Sequence, residues 1–483
     1  MPVRIGRLVG PFILTLFLNQ APAADPGSSV RDLDTAGEPA QPAPKDEAIA
    51  RALRQVSAKQ VEHTIETLVS FHTRSTLSSM EHLPKGQGIN AAADWIESEL
   101  KRYSQACHGC LEVKRDTFTQ SPAERIPRPT TITNVYAILR GSDPARAQYM
   151  YLVTGHYDSR NTDVMDARGA APGANDDASG VAVSLESARV LSQLKPAASI
   201  VFVAVAGEEQ GLDGSKHLAK LAKDQGWQLL GVLNNDIVGG NTTPGDQLQD
   251  KSVVRVFSEG IAAGLTPEQA RQLESLGYGS DSGSRELARA VLETSATYEG
   301  DLASDDPGSG GRLQPLLEFR RDRFLRGGDH TAFNQEGFPA VRFTEWREDF
   351  NHQHQTLRTQ NGIEYGDLPK FVDFQYVACV AAVNAATLAT LASAPPPPTN
   401  VRILTKDLDN STSLEWDTPP GAGADAQYQI LWRALSSPTW QRLIVSRTPH
   451  AMLQVSKDNV IFGVRTVDAI GHRSIAVVPM PVR

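Results

Sequence analysis

The spacing of hydrophobic residues changes several times along this chain, and each change marks an element. From 46 to about 104 the apolar positions recur at helical spacing: Leu53, Val56, Val61, Ile65 and Leu68 share one side of a helix pair, and 91–103 continues as a further helix. Continuous apolar runs at 134–139, 149–154, 200–206 and 229–234 then alternate with helical stretches at 178–194 and 215–223. Runs of that kind suit strands buried on both faces. The alternation predicts an α/β fold, a mainly parallel mixed sheet with helices on both faces. Beyond it, 241–328 combines a strand-like 253–257, a helix-like 284–292 and a Gly/Asp/Ser-rich stretch at 300–311, read as a mobile insertion near a pocket rim. The scaffold resumes with a short helix at 331–336, a strand at 340–344 and a long helix from about 368 to 392.

Four consecutive prolines, Pro395 to Pro398, predict a stiff spacer after that helix. The segments around Leu414-Glu415-Trp416, Tyr428 to Trp432 and Phe462 to Asp468 alternate inward and outward side chains, as in a small all-β sandwich over 395–483 resembling a fibronectin type III module. Its expected role is a spacer or a surface that docks another protein. At the other end, Arg4 and Arg7 precede an apolar stretch at 8–18 and then Ala21-Pro22-Ala23, which reads as a signal peptide over 1–24. That stretch is well short of the roughly 20 residues of a membrane span. Stable membrane insertion is therefore not expected, and export to the periplasm or the extracellular space is. Residues 25–46, rich in Ala, Pro, Asp and Gly without periodicity, read as a disordered leader. A large α/β domain is left at 47–394.

Composition narrows the classes. A length of 483 residues exceeds one compact core and fits one large and one small domain. The net charge of -9 is spread out, with no cluster of lysines or arginines to follow a phosphate backbone, so nucleic acid is not an expected partner. Of the three cysteines, Cys107 and Cys110 predict a small loop disulfide suited to an exported protein, and Cys379 an inert thiol.

Chemistry gathers where the apolar runs stop. In sheets of this type ligands bind at the carboxyl ends of strands. His156 and Asp158 follow one run, Glu208 and Glu209 another, and Asp236 a third. Asp176 and Asp177, inside Gly-Ala-Asn-Asp-Asp-Ala-Ser-Gly, stand at the mouth of a helix, as do Asp329 and His330. Two adjacent acids repel unless a cation or proton separates them, so one glutamate of the 208/209 pair can ligate while its neighbour handles protons. Together these residues make the ligand inventory of a two-metal hydrolytic site.

The motifs Gly155-His156-Tyr157-Asp158-Ser159, Gly173 to Gly180, Gly207 to Ser215, Asn235-Asp236 and Asp329 to Phe333 resemble those of the co-catalytic zinc exopeptidases. That family includes secreted bacterial leucyl aminopeptidases, glutamate carboxypeptidase and glutaminyl cyclase, and the resemblance covers roughly 47–393. It implies two Zn(2+) per chain, with Asp176 bridging both, His156 and Asp236 completing one site, and Glu209 and His330 the other. It makes Glu208 the general base, gives Asp158, Asp177 and Asp329 supporting roles, and implies a cis peptide at Asp176-Asp177. The implied activity is an aminopeptidase acting on peptide substrates. A carboxypeptidase, a one-zinc glutaminyl cyclase and a binding protein without catalysis stay open as alternatives. Arg342 and Arg347 are candidates for holding a substrate carboxylate; for His352 and His354 two readings stay open, a place in the pocket lining and the preferred one, solvent-facing loop residues.

Overall fold

The apolar runs that alternate with helices become the centre of an eight-stranded sheet in the computed structural model, which describes residues 31–302, 313–423 and 425–483. The strands are β1 (Leu111–Gln120), β2 (Thr130–Leu139), β3 (Tyr149–His156), β4 (Ser199–Val205), β5 (Gln228–Asn235), β6 (Val253–Ser258), β7 (Gln314–Glu318) and β8 (Ala340–Glu345), in spatial order β1-β2-β4-β3-β5-β8-β6-β7. The inner four, β4-β3-β5-β8, are mutually parallel, and antiparallel pairing enters at β1-β2, β2-β4 and β6-β8. Every residue of β4 is buried, as its unbroken apolar run requires. The predicted signal peptide, residues 25–30 of the leader and 303–311 of the Gly/Asp/Ser-rich stretch lie outside the described residues.

One face of the sheet is covered by the helices α1 (Glu47–Leu53), α2 (Ala58–Ser70), α3 (Ile89–Ala106), α4 (Ala178–Leu191), α6 (Gly283–Thr297) and α8 (Phe374–Ser393). The other carries α5 (Asp213–Asp224) and α7 (His330–Gln335), through Leu218, Ala219, Ala222 and Phe333. Covering both faces makes the inner strands a rigid platform. α8 is long and apolar enough to cross a membrane, yet 94% of its apolar window is buried inside the molecule, where it serves as a core helix. Register brings the strand ends level: His156 pairs with Val205, and Thr154 with Asn234. The ends of β3, β4 and β5 thus open onto one edge. Cys107 and Cys110 form the expected disulfide after α3.

The C-terminal residues make two four-stranded sheets. One contains β9 (Thr399–Leu404), β10 (Thr412–Asp417), β13 (His450–Leu453) and β15 (Met480–Val482); the other contains β11 (Gln427–Ala434), β12 (Arg442–Ser446), β14 (Val460–Val467) and, at its edge, the two-residue strand Glu38–Pro39. That edge strand corrects the reading of a disordered leader for 31–46. Leu33 is buried among the sandwich side chains, the indole of Trp432 donates to Leu33 O at 3.0 Å, and Glu38 pairs with Leu443. Gly37 sits at φ +62°, where an added Cβ would fall 2.4 Å from the Trp432 ring. The partners of this segment lie some 400 residues away, so no local periodicity announces it.

Pro395 to Pro398 are likewise no free spacer. Pro395, Pro396 and Pro398 are buried, and Thr466 Oγ1 donates to Pro396 O at 2.6 Å. The sandwich docks on α6 through buried charges. Arg433 pairs with Asp281 just before α6 and Arg473 with Glu293, while Arg289, itself paired with Glu286 within α6, donates Nε to Pro438 O at 2.7 Å. Trp440 Nε1 donates to Glu286 Oε2 at 3.0 Å, and Arg465 Nη1 lies 2.5 Å from Glu293 Oε2. Paired charges removed from water tolerate few alternative orientations, so they hold the sandwich in one pose. Arg433→Met is expected to lower stability by about 3 kcal/mol by leaving the buried Asp281 carboxylate without its nearest partner. Chemical denaturation checks this, and an unchanged midpoint would mean that the pair contributes nothing.

Candidate metal centre

Two groups of three side chains share one aspartate at the edge where β3, β4 and β5 end. His156, Asp176 and Asp236 each offer a donor atom within 4.8 Å of the others; so do Asp176, Glu209 and His354. His156 closes β3. Its Nδ1 lies 3.1 Å from Asp158 O and 3.4 Å from Asp158 Oδ1, leaving Nε2 directed at Asp176 Oδ1 (3.1 Å) and Asp236 Oδ1 (3.9 Å). A carboxylate behind an imidazole fixes the ring that faces a metal. Asp158 also accepts from Thr76 Oγ1 and from the backbone N–H groups of Glu208 and Glu209, so one side chain ties the end of β3 to the turn after β4.

The loop that carries Asp176 is held from below. Arg74, fully buried, donates to the carbonyls of Tyr157, Pro172 and Gly173 at 2.6–2.8 Å. Asp367 accepts from the backbone N–H of Asn175 and Asp176 at 2.8 and 2.7 Å. The Asp176-Asp177 peptide is cis. Asp177 turns away from the donor groups and accepts from the N–H groups of His156, Gly180 and Ile237, joining β3, the start of α4 and the end of β5. The close fit needs glycine at Gly155 and Gly180, where an added Cβ would come within 2.3 Å of Gly180 C and 2.2 Å of Asn235 O.

His354 takes the place expected for His330. Its Nε2 lies 2.8 Å from Asp176 Oδ2 and 3.0 Å from Glu209 Oε1, and Gln353 Nε2 donates to Asp176 Oδ2 at 3.1 Å. His330 opens α7 but faces the other way. Its Nε2 meets Arg321 O at 2.8 Å and lies 3.6 Å from Asp322 Oδ2, and burial pulls its pKa down to about 4. The Asn351-His352-Gln353-His354 stretch just beyond β8 was the signal available in the sequence. His352 is not part of the group, being stacked on Phe371 at 3.6 Å.

Arg342 also departs from expectation. It is buried where the cleft meets the centre, 2.9 Å from Asp236 Oδ1 and 3.3 Å from Asp322 Oδ2, so its guanidinium is already paired and orients Asp236. Arg347 is half exposed and pairs with Asp246.

Electrostatics favour cations here. Asp158, Asp176, Asp177, Glu209, Asp236 and Asp329 are all buried in this one region. Burial works against the charge on His354, but Glu209 and Asp176 carry its pKa up to about 11. His156 is likewise held well above its usual value against the effect of burial, by Asp158 and Asp176. Burial pushes Glu208 well up, with Asp236 and Glu209 adding to the shift and His156 opposing it, and it pushes Asp329 to about 7. Glu209 Oε1 is buried and, although close to His354, makes no hydrogen bond of acceptable geometry. A buried carboxylate oxygen beside an imidazole and the shared carboxylate of Asp176 is the donor set of a zinc site. The residues fit such an ion. Above them opens a cleft of about 790 Å³ bordered by Asp176, Glu208, Glu209, Asp236 and His354.

Residues 134–373 match Peptidase family M28. The chain is 45% identical over 446 residues to a protein of Pyrenophora teres f. teres described as a probable zinc metalloprotease, spanning 91% of this chain and 88% of that one. It is 44% identical, with the same coverage, to a probable zinc metalloprotease of Pyrenophora tritici-repentis. Among solved structures, the LapA aminopeptidase of Legionella pneumophila is similar with a TM-score of 0.47 and 18% identity, over 72% of this chain and 75% of that one.

Metal content separates the two histidines. The wild-type protein is expected to bind about two divalent cations per chain, His354→Ala about one and His330→Ala about two, by elemental analysis. A His330→Ala protein that loses a metal while His354→Ala keeps both would reverse the assignment. Entry of zinc must also displace the protons that His354 and His156 carry near neutral pH, because their raised pKa values keep them charged there. Calorimetry in buffers of different ionisation enthalpy should therefore show proton release, and affinity should weaken as pH falls.

Proposed function

Because the chain belongs to Peptidase family M28 and is a zinc metallopeptidase, we propose that it is an exopeptidase that removes residues from the amino end of peptides with the help of two zinc ions. In this reading His156 and Asp236 hold one ion, Glu209 and His354 the other, and Asp176 both. One observation carries it: the two oxygens of Asp176 face different imidazoles, Oδ1 toward His156 at 3.1 Å and Oδ2 toward His354 at 2.8 Å. A carboxylate so placed is suited to bridging.

Bound zinc supplies Lewis acidity, polarising a carbonyl and making water easier to deprotonate. The chain does the rest. Glu208 lines the cleft, belongs to neither group of donors and is raised in pKa by burial, so it suits the task of taking the proton of the attacking water and delivering it to the departing amine. Asp158 and Arg342 keep His156 and Asp236 aimed, so that little reorganisation accompanies the reaction. The acids on the floor of the cleft, Asp176, Glu208, Glu209 and Asp236, favour a cationic amino end as the recognised group, and donation from Gln353 Nε2 holds Asp176 in place among them.

Export belongs to the same proposal. The Cys107–Cys110 disulfide suits an oxidising compartment.

Glu208→Gln is expected to lower kcat by about a hundredfold or more while zinc content stays at the wild-type level; full activity in that variant would remove Glu208 from the mechanism. Blocking the amino group of a dipeptide should abolish hydrolysis, whereas amidating the carboxyl end should leave a measurable rate. The opposite pattern would make the enzyme a carboxypeptidase, and a single zinc per chain would favour the cyclase-type chemistry.

A further inference from the structure

The cleft above the metal centre carries a positive rim as well as its acidic floor. Arg125, Arg160, Arg323 and Arg326 all line it. The last two are compensated, since each reaches Glu348 Oε2 at 2.7 Å. Arg125 and Arg160 are held differently. Arg125 Nη1 donates to the backbone O of Glu209 at 3.0 Å, and Arg160 donates Nε to Asn161 O at 3.1 Å and Nη2 to Thr162 O at 3.3 Å. Neither guanidinium forms an ion pair among the described residues. Among the described residues Glu124 is the one acid lining the cleft that stands outside the metal centre, and it pairs with neither.

Carbonyl partners orient a guanidinium without neutralising it. Arginine has five N–H donors, so both side chains keep donors to spare for a planar anion. The bond from Arg125 to Glu209 O also fixes distance, anchoring a cationic group on the backbone of a residue whose carboxylate belongs to the metal centre. The floor acids do not cancel this charge in the working enzyme: Asp176, Glu208, Glu209 and Asp236 are matched by two dications. A substrate reaching the metals therefore passes a rim that is net positive.

We infer that Arg125 and Arg160 form a subsite for a substrate carboxylate next to the scissile bond, so that the enzyme selects dipeptides through their terminal carboxylate or longer peptides through an acidic side chain. The inference deepens the peptidase reading above and rests on it for the position of the scissile bond. The two sources share one chemistry and separate in the test.

The experiment compares kcat/KM of the zinc-loaded full-length protein for leucyl-leucine against leucyl-leucinamide, and for leucyl-glutamic acid amide against leucyl-glutamine amide. At least one pair is expected to favour the charged member by about tenfold, and Arg160→Ala and Arg125→Ala should each move that ratio toward one. Preference in the first pair identifies the terminal carboxylate, in the second the side chain. Ratios near one in the wild-type protein would overturn the subsite, as would a preference that survives both substitutions. Absence of any hydrolysis would sink the peptidase proposal alone; calorimetric titration with the same four peptides then decides the subsite, equal affinities within each pair counting against it.

Discussion

Repulsion between carboxylates is the constraint from which the rest of this structure follows. Asp158, Asp176, Asp177, Glu209, Asp236 and Asp329 are buried together, with Glu208 beside them. Ionised acids this close are costly unless each meets an opposite charge or a hydrogen-bond donor. Several do. Asp177 is met by three backbone N–H groups, Asp158 by a hydroxyl and two N–H groups, and Asp236 by the guanidinium of Arg342. Asp176 and Glu209 are left facing imidazoles, which are the better zinc ligands once neutral. The pattern of compensation thus sets Asp158 and Asp177, which hold the backbone in place, apart from Asp176 and Glu209, which face the imidazoles.

Holding such a group together demands a stiff support. The inner strands supply it because both faces are covered, and Arg74 and Asp367 extend the rigidity into the loop around Asp176 by binding its backbone. The loop bearing Gln353 and His354 is secured from several sides: Asp349 O accepts from the N–H groups of His352 and Gln353, and His352 stacks on Phe371. Further away, the sandwich contributes no side chain to the cleft among the described residues. Its ion pairs with Asp281 and Glu293 and the strap formed by residues 31–46 make residues 31–46, the sandwich and α6 part of one packed unit.

Local signals in the sequence were informative where the interactions are local. The runs that became β2, β3, β4, β5 and β8 are largely apolar because both faces of the inner sheet are buried, and an acid or histidine at the end of such a run stands out. β1 was missed since its exposed positions alternate with half-buried ones at one edge of the sheet, leaving no apolar run to notice. The Asp176-Asp177 pair stood out through its small neighbours, which permit the close approach of α4 to the strands.

From the order of its residues alone, the chain determined the α/β alternation, the edge at which the chemistry collects, and the identity of His156, Asp176, Glu208, Glu209 and Asp236 as its candidates. Those follow from periodicity and from the energetic oddity of charge at the end of a buried strand. Only tertiary structure decided between His330 and His354, since one opens a helix and the other sits in a turn and the choice depends on where α7 and the loop after β8 face. It likewise turned Arg342 from a substrate contact into a support for Asp236, and bound residues 31–46 to strands near the opposite end of the chain. Composition and spacing reach only a few residues along the backbone, whereas orientation across the fold is set by packing between segments that the sequence keeps far apart.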